Sequence, residues 1–194
     1  MSEHQAVSPA PVAQRENAKV AIWLFLGSEV IFFGALILTF LMYRLIYPNQ
    51  YIDFKNHLSI PLIGLNTFIL ISSSFLVVRS LESIREGIPK SLRNNLIGVL
   101  LLGALFLAGQ AFEWITLFGD GVSIKTTFGT PFFVVTGIHG MHVFVGLIWC
   151  VGLLFLYRRR FFTQREHSGV EIFGLYWHFV DIVWIVLFTV IYLV

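Results

Sequence analysis

The chain has little cysteine, little charge and no proline where a helix would break, and each shortage removes a class of protein. A single cysteine in 194 residues, Cys150, lies inside an apolar run. The sequence therefore holds no disulfide framework and no cysteine-ligated metal or cluster, and Cys150 is expected as a buried, inert thiol. Charged residues are only 12% of the chain against 57% hydrophobic, and the mean hydropathy is +0.81. That balance excludes an ordinary soluble domain and a nucleic-acid surface. All six prolines (Pro9, Pro11, Pro48, Pro61, Pro89, Pro131) fall in tails, loops or first turns, so no long apolar run is interrupted in its middle. Internal repeats, low-complexity tracts and domain-separating linkers are missing too.

Five apolar runs remain, at about Ala21–Tyr47, Leu58–Val78, Leu96–Phe118, Pro131–Tyr157 and Ile172–Val194. Each reaches the roughly 18 residues that a membrane-spanning helix needs. The fold class is all-α, an integral membrane bundle of five transmembrane helices forming one domain over residues 20–194. Residues 1–19, polar and without apolar periodicity, read as a disordered cytoplasmic tail. The first run is too long for the core of a signal peptide and has no small-x-small cleavage site.

Orientation follows from lysine and arginine. With the N-terminus inside, Arg15, Lys19, Arg79, Arg85, Lys90, Arg93, Arg158, Arg159, Arg160 and Arg165 face the cytoplasm, and only Arg44, Lys55 and Lys125 face out. This bias predicts a cytoplasmic N-terminus and an external C-terminus. Tyr43, Tyr47 and Tyr51 then gather at the outer surface, with Trp23, Tyr157, Tyr176 and Trp177 towards the inner one. Trp23, Trp177, Arg79 and Arg158 are candidates for contact with lipid at the interface. Small residues spaced along one face (Ala104, Ala108 and Ala111; Gly27 and Gly34; Thr136 and Gly140) are candidate helix contacts.

Ionisable residues inside the runs carry the functional signal, because an unpaired charge in hydrocarbon costs several kcal/mol. They are Glu29, Glu113 with Gln110, His139 with His142, and His178 with Asp181 three positions on. At about 1.5 Å per residue, Glu29, His178 and Asp181 fall at one depth, Glu113 falls near His139, and His142 reaches either group. These groups either fix helix register as hydrogen-bonded pairs or conduct protons. A di-iron bundle needs repeated Glu-x-x-His pairs that are absent. A b-type haem between His142 and His178 remains formally open, and so does a small transporter, although the odd helix number and missing repeat weaken the latter.

Five stretches in order, on successive helices, resemble subunit III of the haem-copper terminal oxidases in its five-helix bacterial form. They are Trp23 to Phe33, Leu65-Asn66-Thr67, Gln110 to Trp114, Phe133 to Val143 and Tyr176 to Asp181. The resemblance runs from Trp23 to the C-terminus. It implies a subunit of a cytochrome c or quinol oxidase in the bacterial plasma membrane, serving oxygen reduction, electron transport and proton translocation in aerobic respiration. It further implies a non-catalytic role: no haem, copper or other metal in this chain, those cofactors being held by partner subunits. The implied partners are catalytic subunit I, other oxidase subunits, structural phospholipid and a possible larger respiratory supercomplex. By the same resemblance Glu29 matches the family's intramembrane glutamate, His139 and His142 its paired histidines, and His178 with Asp181 its final polar pair. Relative to the seven-helix form the chain lacks the first two helices, which bound a lipid-filled cleft there.

Overall fold

The computed structural model describes residues 10–159 and 168–193, and among these every regular element is helical. The elements are α1 (Ala10–Ile46), the short α2 (Pro48–Asn56), α3 (Ile60–Arg85), α4 (Pro89–Gly119), α5 (Gly129–Arg158) and α6 (Ser168–Phe188). The chain after α6 widens into a π-helical turn over Thr189–Leu193. All but α2 are long and apolar enough to cross a membrane. Five spans were expected, and five are present among the described residues. α1, however, starts at Ala10, inside the segment read as disordered tail, because the Ala-, Gln-, Glu- and Lys-containing stretch before Val20 favours helix. Arg160 and Arg165, used for the orientation, lie outside the described residues, as do residues 1–9.

Local chemistry sets the ends. Prolines occupy the first turns of α2, α3 and α4, where a missing N–H costs no helical bond. α3 and α4 stop in the same way. Gly87 (φ 74°) and Gly121 (φ 84°) take the left-handed conformation just past each helix, letting Ile88 N–H reach Ser83 O at 2.8 Å and Val122 N–H reach Leu117 O at 3.0 Å. These two turns reverse the chain, and α3 and α4 share the most extensive contact in the molecule.

α3, α4, α5 and α6 close into a ring, each touching two neighbours, and α1 leans on α5 and α6 from outside. One buried stripe per helix builds the seam. On α4 it is Leu92, Leu96, Val99, Gly103, Phe106, Gln110, Glu113 and Leu117; on α5, Phe132, Thr136, His139, Val143, Gly146, Cys150 and Leu153. Steps alternating between three and four residues give the 3.5-residue repeat of left-handed helix packing. α6 is the most enclosed helix, with 50% of its most apolar stretch buried against 17% for α1.

Trp177 corrects an expectation. Read as an interfacial residue, it is fully buried, its Nε1–H donating to Ser73 Oγ at 2.9 Å. Glycine makes the room: a Cβ at Gly146 would lie 2.6 Å from the Trp177 ring, and one at Gly103 would lie 3.0 Å from it. The stripes of small residues divide. Thr136 is buried and Gly140 partly so, whereas Ala104, Ala108 and Ala111 face outward and nothing lies within 4 Å of a Cβ at Gly27 or Gly34. Neither of those two stripes is a contact within this chain. Trp23, Arg79 and Arg158 are exposed, Arg79 pairing with Glu82 at 2.9 Å.

Candidate functional site

The polar residues of the spans form two separate groups, one sealed and one open. The sealed group sits towards the end of the bundle where α2 and the π turn lie. Gln110 and Glu113 occupy adjacent positions of the α4 seam, and Gln110 Nε2–H donates to Glu113 Oε2 at 3.0 Å. The π turn carries Tyr192 into the same space, where its hydroxyl donates to Glu113 Oε2 at 2.7 Å. Tyr192 is fully buried and Glu113 is 2% exposed. α2 fixes that turn from outside: Tyr51 Oη–H donates to Ile191 O and Lys55 Nζ–H to Leu193 O, each at 3.4 Å.

Glu113 was expected near His139, but its partners are Gln110 and Tyr192. His139 instead lies in an aromatic box, stacked on Trp184 with centroids 4.9 Å apart and edge-on to Phe33 and Phe106. Neither of its ring nitrogens has a hydrogen-bond partner among the described residues. Trp184 is itself anchored, Nε1–H donating to Thr67 Oγ1 at 3.0 Å.

The open group joins α1 to α5. Along α1 the inward residues are Ile22, Leu26, Phe33 and Phe40, and Glu29 falls on that stripe between Leu26 and Phe33. It points at His142: Glu29 Oε2 lies 3.3 Å from Nε2. His142 Nδ1 is 2.8 Å from Ile138 O, and because a carbonyl only accepts, Nδ1 carries a hydrogen. Nε2 and the carboxyl therefore attract each other when one further proton lies on either of them. Tyr176 on α6 closes the group, its hydroxyl donating to His142 O at 2.9 Å. Glu29 and His142 are 17% and 13% exposed, and they form the polar part of the wall of a cavity of about 540 Å³ otherwise lined by apolar and aromatic side chains.

Glu29 thus meets His142, whereas the shared depth had put it with His178 and Asp181. Those two lie on other sides of α6. His178 Nδ1 is 2.6 Å from Ser74 Oγ on α3, and Asp181, 5% exposed, lies beside the same Ser74 with neither oxygen in a well-formed hydrogen bond among the described residues. Ser73, Ser74, Thr67, Tyr176 and Tyr192 were not picked out as partners from the sequence. The serine-rich Ser72-Ser73-Ser74 within an apolar run was the available signal, since small hydroxyl residues mark helix contacts in lipid. At the end where α1 begins, Lys19 and Arg85 both pair with Glu171, at 2.9 and 2.7 Å, tying α1, α3 and α6 together.

This is a multi-pass membrane bundle in which Glu29, Glu113, His139, His142, His178 and Asp181 turn inward or towards neighbouring helices. Its sequence matches the family model described as cytochrome c oxidase subunit III over residues 7–194, and the chain belongs to that family. It is 35% identical to cytochrome c oxidase subunit 3 of Thermostichus vulcanus, covering 90% of this chain and 86% of that one. Quinol oxidase subunit 3 of Bacillus spizizenii is 34% identical over 96% and 93%, and cytochrome c oxidase subunit 3 of Synechocystis sp. is 38% identical over 88% and 72%. The chain is accordingly a subunit of a haem-copper oxidase, an oxidoreductase complex whose other subunits are its partners.

Proposed function

We propose that the chain is the accessory, non-catalytic subunit of a proton-pumping oxidase in the bacterial plasma membrane, with its N-terminus inside. In this role it covers and stabilises catalytic subunit I, binds structural phospholipid and supports proton uptake. The observation that carries the reading is the Glu29–His142 pair, a proton-binding couple in the wall of an open cavity within an apolar protein. Such a pair is costly in a membrane unless it serves a purpose. A redox role has no comparable support. His142 faces Glu29 and Ile138 O, His178 Nδ1 faces Ser74, and His139 is enclosed by aromatic rings, an arrangement that supports a chain without haem. Haem and copper then belong to partner subunits.

The test compares the complex with and without this chain in the same lipid. The stripped complex is expected to keep its haem and start oxygen reduction at a substantial rate, then lose activity or pump fewer protons over repeated turnovers. Immediate loss of all oxygen reduction with haem intact would refute the accessory role, and unchanged sustained turnover and pumping would refute the support role.

A further inference from the structure

The cavity beside Glu29 has aromatic walls for which the proton-uptake role alone has no use. Its walls come from α1, α5 and α6 and are aromatic at several points: Phe25, Phe32, Trp149 and Tyr176 line it. Phe25 stacks with Tyr176 at 6.4 Å between centroids and Trp149 tilts against Tyr176 at 5.6 Å, so two of these aromatic contacts span neighbouring helices. Phe25 and Phe32 are 42% and 43% exposed, which opens the cavity to the outside of the bundle beside α1. Among these apolar surfaces stands one polar couple, Glu29 with His142.

Hydrogen-bond capacity selects the ligand. His142 Nδ1 is engaged by Ile138 O, while Nε2 faces Glu29 Oε2 at 3.3 Å without a formed hydrogen bond. A carboxyl group has up to about four acceptor positions, and Glu29 Oε2 has no hydrogen-bond partner among the described residues, so the unspent capacity at Glu29 is for accepting. A fitting ligand must therefore donate, through a hydroxyl, and present a flat apolar body to the aromatic walls. Phospholipid fits less well. Glu29 stands twelve residues into the span that begins at Asn17, roughly 18 Å along the helix, where acyl chains with no donor would lie. We propose that this cavity binds the hydroxylated ring of an isoprenoid quinol, with one ring hydroxyl donating to Glu29 and the ring held among Phe25, Phe32, Trp149 and Tyr176. The site is one of binding, and it prefers the reduced ring because the oxidised ring has only acceptors to offer.

The probe is decylubiquinol carrying a diazirine on its tail. It is used anaerobically on the cyanide-inhibited complex in phosphatidylcholine nanodiscs, and labelled peptides are mapped by mass spectrometry. Labelling is expected between Phe25 and Phe32 and between Met141 and Trp149, displaced by decylubiquinol and several-fold less well by decylubiquinone. Glu29→Leu, which removes every acceptor at this position, should weaken binding about tenfold, the loss of one ordinary hydrogen bond. Met141→Trp, at a position 56% exposed on the rim, should fill the cavity and abolish the label. If that variant fails to assemble, Val145→Phe at the same rim replaces it, and Leu101→Trp on the outward face of α4 should leave labelling intact. Label spread evenly over all exposed faces, label untouched by the cavity-filling variant, or label displaced by phosphatidylglycerol but not by decylubiquinol would each overturn the proposal. Co-purification of haem with the tagged chain reports separately on the accessory-subunit reading, so the two can fail independently.

Discussion

The two polar groups of this bundle are built from similar residues and treated in opposite ways. Glu113 is enclosed by the seam and held by two neutral donors, Gln110 and Tyr192. Glu29 stands on the loosely packed α1, meets a single titratable partner, and borders open space. A carboxyl surrounded by neutral donors in a closed seam serves to fix helix positions. One that faces a histidine across 3.3 Å beside a cavity stays open to further partners. The difference lies in packing more than in residue type: four helices close around Glu113, while α1 only leans on the ring.

The largest expected effect lies in the seam. Gly146→Val would drive side-chain atoms into the Trp177 ring, which Ser73 holds on one edge and Gly103 receives on the other. Overpacking of this kind costs about 1–3 kcal/mol, and the variant should unfold at clearly lower denaturant in mixed micelles. Gly27→Val on α1 meets no atom and should leave the isolated chain unchanged. Loss of assembled complex by Gly27→Val with normal chain stability would make that face of α1 a surface for another subunit.

A smaller effect sharpens the contrast between the carboxyls. Tyr192→Phe removes a donor from Glu113 where no water can replace it, at a cost of about 1–2 kcal/mol by the range seen for hydrogen bonds within membranes and for stranded groups. Glu29→Gln, beside a cavity and able to hydrogen-bond still, should cost less than half as much in the same unfolding assay. Equal losses would remove the distinction between sealed and open sites.

The smallest effect concerns α2. Burial pushes the Tyr51 hydroxyl above its ordinary value of 10.0, with Arg44 opposing. The folded state therefore holds this proton more tightly than the unfolded one, so stability is intact below pH 10 and falls as the pH rises beyond it. Tyr51→Phe should flatten that alkaline decline while slightly lowering stability at neutral pH. A decline of the same slope in the variant would assign it to other groups.

Much of this arrangement was legible in the sequence, and the failures share a cause. Chain length and hydropathy identified five spans, and Glu29 lies on α1 at a spacing that fits its buried stripe. Depth along a helix can be counted from residue numbers, but the direction a side chain faces around the axis depends on which helices are neighbours. Glu29 and Asp181 lie at similar depth yet face different helices. In a soluble helix the polar face would reveal that direction. Here both faces are apolar, so Trp177 could be read as an interfacial anchor and the alanines of α4 as a contact. The inward faces are marked by glycine and hydroxyl residues instead: Gly103 and Gly146 around Trp177, and Ser73 and Thr67 under the two tryptophan N–H groups. Tyr192 escaped notice because its inward direction depends on a π turn.

The central position of α6 also has a consequence for biosynthesis. The ribosome delivers this helix after the other four spans, so α3, α4 and α5 enter the membrane as an open crescent with Glu113, Ser73 and Thr67 lacking their later partners. Only the arrival of Trp177, Trp184 and Tyr192 supplies those partners and closes the ring. A nascent chain stalled before α6 would expose these groups to lipid, giving membrane proteases a chemical mark that distinguishes unfinished copies from complete ones.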